Sequence, residues 1–154
     1  MIKEKTIALI AHDRRKEDLK NWVRFNAEVL LKNKLVCTGT TGALIETELK
    51  EFCLDNDLDY SIIDIVKYNS GPLGGDAEIA ALVVKGEIDF CVFLIDDLNA
   101  NPHEADIQML LRQCRIHNVS VACNKHSADL MITSDLWGTN YNPTKPTYVK
   151  YERD

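Results

Sequence analysis

Short apolar runs alternate along this chain with longer stretches whose apolar residues return every three or four positions. Thr6–Ala11 (TIALIA) is the first run. A helical stretch follows to about Leu31, with Leu19, Trp22, Val23, Ala27 and Leu30 at helical spacing. A second strand is expected at Lys34–Thr38, then a helix from about Thr41 that places Leu44, Ile45, Leu49 and Phe52 on one face. A third strand is expected through Ser61–Lys67 and a helix from about Gly75 to Lys85. The fourth strand, Phe90–Ile95 (FCVFLI), is apolar at every position, as expected of a strand covered on both faces. A helix near Pro102–His117 buries Ile107, Leu110, Leu111 and Cys114, and a short strand at Val119–Ala122 and a short helix at Ser127–Ile132 end the pattern. From Gly138 onward Asn, Pro, Thr, Tyr and Lys dominate, which predicts an irregular tail or late edge element suited to a subunit contact.

Alternation of this kind implies right-handed βαβ units. The expected architecture is therefore a single-domain, three-layer, Rossmann-like α/β fold over residues 1–154, a parallel sheet with helices on both faces and a tail from 138. A length of 154 residues fits one domain with a real core, and no internal repeat or linker divides it. No stretch approaches the run of about 20 apolar residues that a membrane helix needs. The first residues lead straight into a strand without a small-residue cleavage site, so a cytoplasmic chain without signal peptide is expected. Five cysteines, an odd number with no C-x-x-C pair, fit a reduced compartment and argue against structural zinc.

A net charge of -6 argues against nucleic acid as a partner, since such binding relies on neutralising phosphates. It leaves room for a small anion, which backbone amides and one or two cations bind locally. The polar residues show where. His12-Asp13 follows the first strand, Thr38-Gly39-Thr40-Thr41-Gly42 the second, Ser70-Gly71-Pro72-Leu73-Gly74-Gly75-Asp76 the third, and Asp96-Asp97 through Asp106 the fourth. Ligands of open α/β sheets bind beyond the carboxyl ends of the strands, so these four segments are expected to converge on one crevice.

Taken singly, each segment has a plainer reading. The threonine–glycine segment is as good a helix N-cap in a tight turn as an anion cradle, and it lacks the lysine and spacing of a nucleotide P-loop. Asp76 after two glycines reads locally as a helix cap. Asn101 and Pro102 read as the N-cap and first position of the next helix, which would set His103 and Asp106 on one face within reach of each other. An aspartate bonded to one imidazole nitrogen fixes the tautomer at the other, as acid–base chemistry requires. The bland alternative is a solvated surface pair. Trp22 reads as core, His117 and His126 as surface, and Arg14-Arg15-Lys16 as a solvated helix start.

Taken together, Ala11-His12-Asp13, the Thr38–Gly42 segment, the Ser70–Asp76 segment and Leu98-Asn99-Ala100-Asn101-Pro102-His103-Glu104-Ala105-Asp106 resemble those of methylglyoxal synthases, in order, from about Thr6 to Ile132. The resemblance implies a homohexamer that uses no cofactor and converts dihydroxyacetone phosphate to methylglyoxal and inorganic phosphate. It implies Asp76 as the base that takes a carbon-bound proton beside the carbonyl. His103 would handle the oxygen protons of the enediolate, with Asp106 as its acidic neighbour. Asp13, His12 and Asp96 match further active-site positions. Lys16, Thr38, Gly39, Thr40, Thr41, Ser70 and Gly71 match positions around the phosphate, and Arg153 matches a phosphate-binding arginine that some members supply from a neighbouring subunit. Three departures stand out: the segment between Gly42 and Ser70 is longer than in compact members, Asp97 stands where many have proline, and the tail that carries Arg153 aligns poorly.

The chemistry accounts for this inventory. A solvated aspartate, with a pKa of about 3.9, is a weak base towards a C–H bond. Crowded carboxylates in a dry crevice are stronger ones. The same fold also serves as an effector-binding regulatory module in carbamoyl phosphate synthetase, which needs the phosphate cradle but not the acid–base set. The presence of Asp76, His103 and Asp106 in a chain that stands alone favours the enzyme. An isomerase acting through the same enediolate differs by releasing no phosphate.

Overall fold

The computed structural model describes residues 4–146. Five strands form an all-parallel sheet in the order β3-β2-β1-β4-β5. In chain order the elements are β1 (Thr6–Ala11), α1 (Lys16–Phe25), α2 (Ala27–Leu30), β2 (Lys34–Thr38), α3 (Gly39–Asp55), β3 (Ile65–Tyr68), α4 (Gly75–Val84), β4 (Phe90–Leu94), α5 (Glu104–Ile116), β5 (Ser120–Ala122) and α6 (Lys125–Ile132). Among the described residues no helix is long and apolar enough to cross a membrane.

Alternate side chains of each strand point to opposite faces of the sheet, and the two faces carry separate cores. Ile7, Leu9 and Ala11 of β1 join Leu35, Cys37, Val92 and Leu94 beneath Leu19 and Trp22 of α1, Leu30 of α2, Ile45 and Leu49 of α3 and Ile132 of α6. Ala8 and Ile10 join Val36, Cys91 and Phe93 beneath Ile79 and Val83 of α4 and Ile107, Leu110 and Cys114 of α5. The expected three layers are therefore present, and both faces of the central strands are dry.

Several expected boundaries move for local reasons. The helix drawn through to Leu31 breaks at Asn26. There the backbone N–H and the side-chain amide both donate to the Trp22 carbonyl (3.0 and 2.9 Å), and the backbone leaves helical geometry. Polar side chains that bond nearby backbone interrupt helices in this way. The third strand, expected over Ser61–Lys67, shrinks to Ile65–Tyr68. Asp59 accepts from the Ser61 N–H at 2.9 Å and turns Tyr60–Ile62 into a single 3-10 turn. The last helix begins earlier than expected because Asn124 caps it, accepting from the Ser127 N–H at 2.8 Å.

Two features of the topology place the site. The chain steps outward from β1 to β3, then crosses back to put β4 on the other side of β1, so the strand order reverses between β1 and β4. A crevice opens at such a switch point. At the start of α4, Gly75 packs so tightly on the preceding loop that a Cβ there would stand 1.9 Å from the Asn69 carbonyl oxygen. Only glycine fits, and the next residue, Asp76, is thereby carried into the interior.

Candidate active site

A cavity of about 530 Å³ lies over the carboxyl ends of β1, β2, β3 and β4 and is lined from all four post-strand segments. His12, Asp13 and Lys16 come from the first, Thr38, Gly39, Thr40 and Thr41 from the second, Ser70, Gly71 and Asp76 from the third, and Asp96 and His103 from the fourth. The convergence expected from the sequence is realised for these residues. Asp106 does not line the cavity, and Arg153 lies outside the described residues.

The switch point is bolted together through His12. Its backbone N–H donates to the Leu94 carbonyl at 3.1 Å, and its Nδ1 accepts from the Asp96 backbone N–H at 2.9 Å. Burial and the neighbouring His103 hold its pKa below the usual histidine value. His12 is thus neutral at neutral pH, and with Nδ1 accepting, the proton must sit on Nε2. That nitrogen is buried without a partner among the described residues. The ring stands edge-on to His103, with centroids 5.7 Å apart.

Asp76 is wholly buried in the first turn of α4, and neither carboxylate oxygen has a hydrogen-bond partner among the described residues. His103 Nε2 stands 3.4 Å from Oδ2. Burial raises its pKa, His103 opposes that rise, and the charge of Asp106 adds to it. The other carboxylates behave in the opposite way. A hydrogen bond from Lys16 holds Asp13 low. Asp96 is held low first by the Asn99 side-chain amide, with the Leu98 backbone N–H and the Arg14 and Arg15 charges adding to it. Pairs of carboxylates whose surroundings push them apart mark the division between a base and charged supports. Here the group pushed upward is Asp76.

Between Asp76 and His103 lies Gly71. A Cβ at that position would stand 2.9 Å from His103 Nε2 and 3.2 Å from Asp76 Oδ1. The missing side chain therefore leaves open the space that both groups face, about the size of a carbon centre.

The phosphate side is built on the start of α3, which begins at Gly39, earlier than the expected Thr41. Thr38 is the N-cap residue, extended in backbone, but its side chain makes no capping bond. The Gly39 N–H is taken by the Asn69 carbonyl at 3.2 Å. The next amides, of Thr40 and Thr41, belong to the first turn and have no intrahelical acceptor, and they stand at the positive end of the helix dipole. Of the two readings left open by the sequence, the geometry favours the cradle. The Thr41 hydroxyl donates to the Ala11 carbonyl at 3.4 Å. Lys16 Nζ bonds both Thr40 Oγ1 (2.6 Å) and Asp13 Oδ1 (2.7 Å), tying β1's loop to α3. The Asp13 side chain is 94% exposed, at the rim.

One expectation is corrected. Asn101 does not cap α5, and Pro102 is not its first residue. Helix α5 begins at Glu104 with His103 as N-cap. Asn101 turns its amide to the Asp96 and Asn99 carbonyls (3.5 and 3.3 Å) and so closes the loop after β4. Because His103 lies outside helical geometry, its ring does not follow the i, i+3 rule. No side-chain bond joins it to Asp106 among the described residues. The carboxylate it faces is Asp76, on another helix. Helix periodicity also passes over Arg14, Asn99 and Asn101 as lining residues. Their position just beyond β1 and β4 is the signal that could have found them.

No protein-family model matches the chain. It is 56% identical over 148 residues to the methylglyoxal synthase of Treponema socranskii, covering 96% of this chain and 89% of that one. It is 41% identical over 151 residues to the methylglyoxal synthase of Leptospira interrogans, covering 97% and 94%. Among solved structures, the crystal structure of methylglyoxal synthase from Elizabethkingia anophelis NUHP1 superposes with a TM-score of 0.83 at 35% identity, covering all of this chain and 94% of the other.

Proposed function

The chain belongs to the methylglyoxal synthase family, and from that premise we propose how its crevice performs the reaction. The enzyme is a lyase that converts dihydroxyacetone phosphate to methylglyoxal and inorganic phosphate. The observation that carries the residue assignment is the buried, unpartnered Asp76 carboxylate facing His103 across the space left by Gly71.

Asp76 takes a proton from the hydroxymethyl carbon beside the carbonyl. The C–H electron pair becomes an enediolate. His103 serves its oxygens by shuttling protons, and His12 donates to them from Nε2–H, acting as a neutral donor aimed at developing charge. The enediolate electrons then expel the phosphate from the neighbouring carbon, and the enol left behind takes a proton on carbon to become methylglyoxal. Lys16, the amides at the start of α3 and the hydroxyls of Thr40 and Ser70 hold the leaving phosphate, with Thr38, Gly39 and Thr41 shaping the cradle. Asp13 and Asp96 remain ionised and act as charged supports. Asp96 is the acceptor that organises the loop after β4, and Asp106 holds up the basicity of Asp76 from beyond the cavity wall.

The regulatory-module reading has no use for a carboxylate kept basic at the cost of burial. It is set aside by the synthase relatives as well. The test is incubation of the protein with dihydroxyacetone phosphate in chelator-treated buffer while both products are followed. Equal amounts of methylglyoxal and phosphate are expected, whereas isomerisation would release no phosphate. Because Asp76 must be ionised to act and its pKa in the free enzyme is raised, kcat/KM falls on acidification at a pH above the ordinary aspartate value of about 3.9. An acidic limb at or below that value would remove Asp76 as the base.

The finer expectations are also proposals. The enzyme acts in the cytoplasm as a homohexamer, with Arg153 reaching a neighbouring subunit's phosphate site. Light scattering should give six times the 17.4 kDa chain mass. A monomer or dimer at working concentration would overturn the hexamer.

A further inference from the structure

We propose that Arg14 is a ligand of the substrate's phosphate, and hence of the inorganic phosphate released, a contact that rests on the synthase reading of the cavity. Arg14 is the middle residue of the single 3-10 turn Asp13–Arg15 that follows β1, closed by the Arg15 N–H donating to the His12 carbonyl at 2.8 Å. This turn gives three consecutive cations different fates. Arg15 leans onto Asp18, 3.5 Å away, and does not line the cavity. Lys16 lines it but is already bonded to Asp13 and Thr40. Arg14 lines it and, among the described residues, has neither an ion pair nor a hydrogen bond.

The charge balance shows what that guanidinium is for. Among the described residues the cavity's lining carries three carboxylates, Asp13, Asp76 and Asp96, against two cationic side chains, Arg14 and Lys16. Phosphate esters bring a further charge of about -1.5 to -2 at neutral pH. Lys16 is partly spent on Asp13, and the dipole of α3 supplies only about half a charge. Among the described residues, the unpaired cation in the cavity's lining is Arg14, on this chain's own side of the site and apart from the Arg153 proposed to reach in from a neighbouring subunit. Its planar fork is the side chain best matched to two phosphate oxygens at once. Its charge is already felt at Asp96, which it helps to hold ionised, so the side chain lies near the β1/β4 switch point. Its exposed position leaves it free to swing onto a bound phosphate.

A contact of this kind binds substrate and transition state about equally, so it appears in KM and not in kcat. For Arg14→Ala, KM for dihydroxyacetone phosphate and the inhibition constant of inorganic phosphate should rise together by about tenfold, the lower end for hydrogen bonds to a charged group, with kcat changed by less than about threefold. Arg14→Lys should recover part of the loss, because the charge remains and the fork does not. Arg15→Ala removes the same charge from the same turn outside the cavity and serves as the control, with both constants near wild type. Calorimetric titration with inorganic phosphate reads the contact without turnover. A phosphate affinity in Arg14→Ala within twofold of wild type, or an equal loss in Arg15→Ala, overturns the proposal. A fall in kcat at unchanged KM overturns it too. A wild-type protein that binds phosphate but makes no methylglyoxal overturns the synthase reading instead.

Discussion

Asp76→Asn should lower methylglyoxal formation by at least about 10³-fold, within the range that a general base contributes, and should raise the melting temperature at neutral pH. The two effects have one cause. The Asp76 carboxylate is wholly buried, and no hydrogen bond among the described residues compensates it. Burial therefore raises its pKa, with Asp106 adding to the rise and His103 opposing it. In the unfolded chain the same group titrates near 3.9, to within about a unit. Between that value and the raised folded value, the native state holds more protons than the unfolded one, so stability falls as pH rises through the window. Above it, the full penalty of an ionised, buried carboxylate is present. Asparagine has nearly the same shape and no charge, so the penalty disappears. A tenfold weakening of the carboxyl's acidity on folding corresponds to about 1.4 kcal/mol, and each kcal/mol to about 2–4 °C for a chain of this size. The gain of the variant should shrink as pH is lowered towards about 4, where Asp76 is increasingly protonated in either state. Melting curves of both proteins at pH 7 and near pH 4 decide the matter. A variant less stable at pH 7 would show that the carboxylate is satisfied, and retained phosphate release would show that another group is the base.

Gly71→Ala tests the same site by filling it. One methyl group would stand 2.9 Å from His103 Nε2, closer than carbon contacts allow, and at a tight 3.2 Å from Asp76 Oδ1, so the imidazole must shift and the carboxylate must give by a few tenths of an ångström. Displacement of a reacting group by about 1 Å costs on the order of 100-fold in rate, and on the proposed mechanism the methyl would also occupy the place of the substrate carbon. A fall of about that size in kcat is expected. The fold should survive, because Gly71 lies in a single 3-10 turn and is not among the positive-φ glycines. A circular dichroism spectrum like wild type together with a lost rate supports the placement. Activity within a few-fold of wild type would mean that substrate does not sit between the two groups.

How much of this is legible in the chain depends on the range of the signal. The segments Thr6–Ala11 and Lys34–Thr38 are strands with the expected bounds, because the stretches at their centres, Ile7–Ala11 and Leu35–Cys37, are buried and apolar throughout. The strand expected over Ser61–Lys67 loses its first residues, because one Asp59 side-chain bond to Ser61 decides for a turn at Tyr60–Ile62. The helix break at Asn26 escapes sequence reading for the same kind of reason. A single amide competing for the Trp22 carbonyl outweighs an unbroken apolar stripe.

The site divides along the same line. That His12, Thr38–Thr41, Ser70–Asp76 and Asp96–His103 gather in one place can be read from the chain. Each follows a strand, and parallel strands end on the same side of a sheet. How they meet cannot. Helix spacing pairs His103 with Asp106, whereas folding pairs it with Asp76, because His103 lies before the helix and the α4–α5 layer brings two distant turns together. Arg14 reads as one of three solvated cations, and only the turn after β1 selects it for the cavity. Periodicity and turn chemistry are properties of neighbouring residues, so sequence by itself determined the elements, their alternation and the end of the sheet that would be polar. Strand order, the reversal between β1 and β4 and the burial that makes Asp76 basic are set by contacts between residues far apart in the chain. Those the tertiary structure alone decided.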